Sequence, residues 1–145
     1  MLGWLFATDG TIVPLILRLA LAVVIFPHGA QKALGCFGGR GFKGQMESFT
    51  KMGIPAGLAL LAIAAEFLGP LGLAIGLLTR VAAFGIACVM VVAVFRVHTP
   101  HGFFMNWSGQ QKGEGFEFHL LALGLAIALI LGGAGVWSVD ALLAR

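Results

Sequence analysis

Ionisable side chains interrupt the apolar runs of this sequence at only a few positions. Arg18, His28 and Lys32 lie in the first run, and Glu66 stands near the centre of the second. A charged group in an apolar interior is costly, so such a residue is a functional candidate by default. Glu66 and His28 are the predicted catalytic residues, because a carboxyl group and an imidazole can both exchange protons with a bound ligand.

The longest polar stretch, residues 99–119, is the second place where chemistry could occur. It reads TPHGFFMNWSGQQKGEGFEFH and holds two of the four histidines and two of the six carboxylates. The predicted ligand-binding residues belong to the first apolar run, to this polar stretch or to the position directly before it. They are Arg18, Lys32, His98, His101, Trp107, Glu117 and His119. A second interpretation stays open, in which the stretch is a solvated connector whose aromatic residues anchor at the lipid headgroups.

The spacing of these residues disfavours a metal site. Pro100 breaks the helical register between His98 and His101. On a helix, the side chains of Glu117 and His119 would point in directions about 200° apart, so they could not bind the same ion. The sequence has no HExxH motif and no cysteine ligand set. It therefore predicts no metal, haem or flavin.

Composition places the protein in a membrane. The chain is 59% apolar and 10% charged, with a mean hydropathy of +1.00, whereas soluble domains carry about 25% charged residues. A net charge of +3 indicates basic membrane-flanking loops, and no nucleic-acid partner is expected. The prediction is one integral membrane domain over residues 1–145, surrounded by the lipid bilayer.

The apolar runs predict an all-α bundle of four transmembrane helices. The predicted spans cover residues 12–34, 55–78, 81–97 and 117–131. In the first loop Phe42, Met46 and Phe49 recur at helical spacing, which predicts a short amphipathic helix lying in the membrane interface. Lysine and arginine are more frequent beside the two long loops, so these loops are expected to face the cytoplasm.

Depth estimates predict which polar side chains meet. At about 1.5 Å of rise per residue, Glu66 lies at an intermediate depth between His28 and Arg18. A cluster of Glu66 with one or both of these residues is therefore expected. An alternative stays open, in which the buried charges form an ion pair that fixes the helix register.

The polar stretch is expected to fold back as an ordered cap over this cluster. Phe103, Phe104 and Trp107 are too apolar to be left in water together, since burying such side chains yields about 1.5–3 kcal/mol each. These aromatic residues could form an apolar slot for a quinone ring. The histidines could then donate hydrogen bonds to the quinone carbonyl oxygens.

Short motifs in a fixed order carry a family resemblance. They are Arg18-Leu19, His28-Gly29 followed by Lys32, Glu66 with Gly69, Gly76 with Thr79-Arg80, GFFMNW at residues 102–107, QKGEGFEFH at residues 111–119, and Gly133-x-Gly135 with Ser138-x-Asp140. Each motif alone is weak, but their order and spacing together are specific. In these residues the sequence resembles the DoxX family of small four-helix inner-membrane proteins.

The resemblance implies a role in a membrane redox system. One member of the family forms part of a thiosulfate:quinone oxidoreductase, and another is described as a scaffold for redox enzymes. The function implied is a multi-pass subunit in the cell inner membrane that interacts with quinone or anchors membrane or soluble oxidoreductase partners. The resemblance leaves catalysis open, and it leaves a homo-oligomer open. Two alternatives remain, a non-catalytic scaffold and a small transporter.

Overall fold

The computed structural model describes residues 3–8 and 10–144, and within these residues the regular structure is helical throughout. The α-helices, in chain order, are α1 (Gly3–Phe6), α2 (Val13–Ala33), α3 (Gly41–Lys51), α4 (Ala56–Ile75), α5 (Thr79–Ala93), α6 (Glu117–Gly132) and α7 (Val139–Leu143). A π-helical turn and a 3-10 turn extend α5 as far as His101. The prediction of an all-α fold is confirmed.

Three helices are long and apolar enough to cross a membrane: Val13–Ala33, Ala56–Ile75 and Thr79–His101. The fourth apolar helix, α6, has 16 residues and is shorter. The predicted spans therefore correspond to α2, α4, extended α5 and α6. The third span begins two residues earlier than expected, because Leu78 adopts a left-handed conformation and α5 starts directly after it.

These four helices form a closed ring around an apolar core. Leu21 and Ile25 of α2, Leu73 of α4, Ile86 of α5 and Leu129 of α6 are all completely buried. Many large apolar side chains of the same helices are instead exposed on the outside of the bundle. An apolar outer surface around an apolar core is typical of a bundle that is surrounded by lipid.

The short helices α1 and α3 lie outside the ring. The first-loop helix predicted from the Phe42–Met46–Phe49 pattern is present as α3, and its position in a membrane interface stays a prediction. The helix α1 consists of Gly3–Phe6 and contains the apolar residues Trp4, Leu5 and Phe6. The sequence predicts that Asp9 or Thr11 caps α2, and of these Asp9 lies outside the described residues. The N-cap of α2 is Ile12, without a side-chain hydrogen bond, so Thr11 does not take that position.

The turn between α4 and α5 is fixed by Asp140 of α7. Gly76 and Leu78 both have positive φ angles, of 69° and 49°. The Asp140 carboxylate accepts hydrogen bonds from the backbone N–H of Leu78 at 2.7 Å and of Thr79 at 2.8 Å. A carboxylate at the start of a helix is stabilised by the free N–H groups there. This end of the bundle is thus closed by contacts with the C-terminal segment.

Candidate functional site

A buried ion pair links α2 to α4. Glu66 is 2% exposed, and the Lys32 ammonium group contacts both oxygens of its carboxylate. Glu66 therefore lies inside the bundle and pairs with a basic side chain of the first span, but this partner is Lys32, whereas the expected partners were His28 and Arg18. The pairing satisfies a carboxylate that would otherwise be unsatisfied in an apolar interior.

Gly29 explains why Lys32 can reach Glu66. Gly29 is buried on α2, one turn before Lys32, and a Cβ atom at this position would overlap the backbone carbonyl group of Glu66. Only glycine permits the two helix backbones to approach so closely. The close crossing therefore sets the separation of α2 and α4 at the depth of the ion pair.

A pair of imidazole rings links α5 to α6. His98 ends the π-helical turn Val94–His98, and His119 lies in the first turn of α6. Their ring centroids are 4.1 Å apart and the rings are tilted by 42°. A π-helical turn changes the direction in which later side chains point, and such turns are frequent at functional sites.

Hydrogen bonding assigns the tautomer of His98. Its Nδ1 lies 2.8 Å from the backbone carbonyl oxygen of Glu114. A carbonyl oxygen only accepts hydrogen bonds, so Nδ1 carries the proton and Nε2 of the neutral ring is a proton acceptor. His119 is 7% exposed, and its buried Nδ1 has no hydrogen-bond partner among the described residues. At this pair, Nε2 of His98 is therefore a hydrogen-bond acceptor, and Nδ1 of His119 is buried without a partner among the described residues.

His28 lies between the two pairs. It is exposed on α2, one turn before Lys32, and its ring centroid is 5.9 Å from that of Phe118. Phe118 in turn contacts the His119 ring edge-on, at 5.5 Å. Because His28 lies one turn before Lys32 on α2, these ring contacts relate the ion pair to the imidazole pair. We call these five residues the polar cluster: His28, Lys32, Glu66, His98 and His119.

The segment 99–119 is ordered, as expected, but its aromatic residues are not enclosed. The backbone N–H of Phe116 donates to the Gly102 carbonyl at 3.3 Å, and that of Glu117 donates to the Phe103 carbonyl at 2.9 Å. Trp107 is nevertheless 87% exposed and Phe104 69% exposed. The expectation that these rings are buried over the cluster is wrong. Exposed aromatic rings are stable at the level of the lipid headgroups, which fits the alternative interpretation of this segment.

Glu117, Trp107 and His101 hold the segment itself together. The Glu117 carboxylate accepts hydrogen bonds from the Met105 backbone N–H at 3.1 Å and from the Trp107 indole N–H at 3.0 Å. The ring of His101 packs so closely on Gly113 that a Cβ there would overlap it. Their predicted part in ligand binding stays a prediction, whereas the contacts give these three residues a structural role.

Arg18 lies at the opposite end of the bundle from the polar cluster. Its guanidinium group donates to the carbonyl oxygens of Leu73 at 2.9 Å and Ala74 at 2.6 Å, at the C-terminus of α4. It also donates to the carbonyls of Ala134 and Trp137 after α6. The expected contact between Arg18 and Glu66 is therefore wrong, because helix-terminal carbonyl groups satisfy this cation.

Sequence reasoning did not find several residues that build the site. The sequence indicates Gly29 only as part of a family motif, and no pattern in it indicates Phe118 or the carbonyl group of Glu114. Gly29 beside His28 was the detectable signal, since a glycine within a long apolar helix indicates a close approach of another backbone. Among residues 3–8 and 10–144, no three histidine, cysteine, aspartate or glutamate side chains are grouped so that they could hold a metal ion.

Comparison with known proteins identifies the family. The DoxX family model matches residues 13–99, which include α2, α4 and α5. The chain belongs to the DoxX family. The matched range contains His28, Lys32, Glu66 and His98, whereas His119 lies beyond it. The motifs at residues 102–107, 111–119 and 133–140 also lie beyond the matched range.

A curated relative of this DoxX-family protein carries an oxidoreductase name. The chain is 27% identical over 126 residues to a Bacillus subtilis (strain 168) protein named "Putative oxidoreductase CatD", covering 87% of this chain and 83% of the relative. No solved structure matches the chain. The DoxX family and the apolar helices together establish a multi-pass membrane protein in contact with a lipid bilayer.

Proposed function

We propose that this protein is the membrane subunit of a redox system and that a quinone binds at the polar cluster. The observation that carries the proposal is the presence of two polar pairs in one membrane bundle, related to each other through the rings of His28 and Phe118. α2 and α4 supply the Lys32–Glu66 ion pair, and α5 and α6 supply the His98–His119 imidazole pair. Each of the four long helices thus contributes one side chain.

The chemistry of quinone reduction fits these groups. A quinone accepts two electrons and two protons, and its two carbonyl oxygens become hydroxyl groups. The Lys32 ammonium group can donate a hydrogen bond to one carbonyl oxygen. The unpartnered Nδ1 of His119 and the basic Nε2 of His98 can hold and transfer protons at the other. In this proposal the chain binds the quinone and moves protons, while a partner oxidoreductase supplies the electrons.

The surroundings of the cluster can accept an apolar ring. Phe118 lies between His28 and His119. Phe26 lies two residues before His28 on α2, and Phe67 directly follows Glu66 on α4. The rings of Phe26 and Phe67 stack with their centroids 5.9 Å apart. A quinone site typically combines apolar walls with a few polar groups that fix orientation.

We also propose that the protein lies in the inner membrane with its long loops in the cytoplasm. Of the described cations, Arg18 and Arg80 are buried at the other end of the bundle, and Lys32 is paired with Glu66. The other described lysines and arginines belong to the two long loops or the end of extended α5: Arg40, Lys43, Lys51, Arg96 and Lys112. Cytoplasmic loops carry such an excess of positive charge.

Quinone titration of two variants tests the site. The protein in lipid nanodiscs would be titrated with ubiquinone-1 and with a short-chain menaquinone by calorimetry. His119→Gln should weaken binding by about tenfold, the value of one hydrogen bond of about 1.4 kcal/mol. Lys112→Gln is the control, because it changes an exposed side chain of the segment 99–119 outside the cluster, and it should bind like wild type. Equal affinities for His119→Gln and wild type would contradict the site.

The exposed segment 99–119 favours a second candidate function, a scaffold for an oxidoreductase partner. The segment is held by its own hydrogen bonds while Phe104 and Trp107 project outward. Aromatic residues are enriched at protein interfaces. Trp107→Ala should reduce co-purification of the partner and leave quinone affinity unchanged. Loss of quinone affinity in Trp107→Ala with the partner retained would reject the scaffold function.

A further inference from the structure

We propose that the outer face of α3 binds an anionic phospholipid. This inference is independent of the quinone proposal, because α3 lies outside the polar cluster. It rests on three observations: the anchoring of α3, an apolar groove along its free face, and unpaired lysines at the edge of that groove.

The helix α3 is held in place at both of its ends. Before it, Gly39 packs so closely against the Gln31 backbone that a Cβ would overlap it, and the Gln31 amide donates to the Phe37 carbonyl at 3.1 Å. After it, the Arg96 guanidinium donates to the Met52 carbonyl at 2.5 Å. These contacts join α3 to the loop ends of α2 and extended α5. If α2 and α5 span the bilayer, α3 lies at the depth of the lipid headgroups.

A shallow, open groove runs along the free face of α3, between side-chain ridges of this one helix. Its lining residues are Phe42, Lys43, Met46, Glu47, Thr50 and Lys51. Phe42 is 47% exposed at one end of the groove. Phe42, Met46 and Thr50 follow one another at steps of four residues, so they form one stripe of the helix. An apolar stripe of this kind can cover part of an acyl chain.

The charges beside the groove favour an anion. Lys43 and Lys51 are both exposed, and neither forms an ion pair in the part of the chain that the structure describes. They are eight residues apart, which is about 12 Å along the helix. Glu47 between them is the single carboxylate of α3, so the helix keeps a positive excess. A lysine near a membrane surface attracts anionic lipid by about 1 kcal/mol.

The two features together select the ligand. A soluble anion would use the lysines but not the apolar stripe, and a neutral lipid would use the stripe but not the lysines. A phospholipid with an anionic headgroup, such as phosphatidylglycerol, uses both. The headgroup phosphate would lie beside Lys43 or Lys51, and an acyl chain would lie along Phe42 and Met46.

Lipid retention by purified protein tests the proposal. Detergent-solubilised protein would be mixed with phosphatidylglycerol or phosphatidylcholine, and bound lipid would be counted by native mass spectrometry. Wild type should retain phosphatidylglycerol in preference to phosphatidylcholine. Lys43→Gln or Lys51→Gln should each weaken this retention by about fivefold, and the double variant further. Lys112→Gln removes the same charge from an exposed lysine of the other long loop and should retain lipid like wild type.

Each remaining outcome decides against the proposal. Unchanged phosphatidylglycerol retention in the Lys43→Gln, Lys51→Gln double variant would overturn it. An equal loss in Lys112→Gln would assign the effect to overall charge. Competition by millimolar inorganic phosphate as effective as that by phosphatidylglycerol would show a site for soluble anions, without a role for the apolar stripe. Full retention of phosphatidylglycerol by a Met46→Gln variant would show that the groove does not contribute to lipid binding, which would also contradict the proposal.

Discussion

Arg18 and Arg80 bind the C-terminal carbonyl groups of the next long helix, at the same end of the bundle. Arg18 of α2 donates to Leu73 and Ala74 of α4. Arg80 of α5 donates to the Ile130 carbonyl at 2.9 Å and to that of Leu131 at 3.1 Å, both in α6. The last carbonyl groups of a helix lack partners within the helix, and a cation there is favoured by the helix dipole. The two halves of the bundle therefore close in the same way.

Arg18→Met should destabilise the protein strongly. Arg18 is 1% exposed and donates to four carbonyl oxygens. Leaving such groups unpaired costs about 1–3 kcal/mol each, so a loss of at least about 3 kcal/mol is expected. Thermal unfolding in detergent micelles would measure it. Quinone affinity of the fraction that remains folded should match wild type, because Arg18 is remote from the polar cluster. A quinone-binding defect without a loss of stability would contradict the structural role.

Glu66→Gln should also destabilise the protein, because it leaves the Lys32 ammonium group without its counter-charge. Removing one partner of a buried pair typically costs 3–5 kcal/mol, and about 3 kcal/mol is expected here since Lys32 is 25% exposed. The double variant Lys32→Gln, Glu66→Gln should recover part of the loss. A double-mutant cycle of unfolding free energies measures the coupling. Additive single effects would mean that the ion pair contributes nothing to folding.

The bundle could be predicted from the sequence, whereas the partners of its charges could not. The four long helices follow from apolar runs of sufficient length, which is a local property. Helical periodicity places Arg18, His28 and Lys32 on one face of α2, but which of them pairs with Glu66 depends on the axial position of α2 relative to α4. Gly29 sets that position through a backbone contact with Glu66. The partners of Arg18 are carbonyl groups, which every residue carries, so no side-chain pattern indicates them.

The imidazole pair and the exposed aromatic residues were beyond prediction for other physical reasons. His98 faces His119 because the end of α5 forms a π-helical turn, and such a turn has no reliable sequence signal. Trp107 was expected to be buried because its ring is apolar. Its indole N–H donates to Glu117 while the ring points outward, which a bilayer interface permits and bulk water disfavours.

Gly29→Ala should separate α2 from α4 and impair both stability and quinone binding. The added Cβ would overlap the Glu66 backbone, and overpacking of this kind costs about 1–3 kcal/mol. Gly124→Ala is the matched control, because Gly124 also lies within a long helix but faces open space. That change should be neutral or stabilising by up to about 1 kcal/mol. Unfolding temperatures and quinone titrations of the two variants should therefore diverge. Similar behaviour of both variants would argue against a required close approach at Gly29.

The proposed orientation can be tested with the natural cysteines. Cys36 is exposed in the first loop, and Cys88 is exposed on α5. In a Cys88→Ser variant, a membrane-impermeant maleimide should label Cys36 only after intact spheroplasts are lysed, because a cytoplasmic loop is shielded by the membrane. Labelling of intact spheroplasts would place the long loops outside. A Cys36→Ser, Cys88→Ser variant gives the background signal.

Glu117→Gln should loosen the segment 99–119 without unfolding the bundle. Its carboxylate accepts hydrogen bonds from the backbone N–H of Met105 and the indole N–H of Trp107, and bonds to a charged acceptor contribute about 1.5–3 kcal/mol. A neutral amide accepts the same bonds more weakly, so trypsin should cut at the exposed Lys112 several-fold faster in the variant than in wild type. Glu47→Gln is the control, because it makes the same change on α3. It should leave cleavage at Lys112 unchanged. Rapid cleavage at Lys112 in wild-type protein would instead mean that the segment opens freely. In that case the carbonyl of Glu114 could not hold His98 in the tautomer that the proposed proton transfer requires.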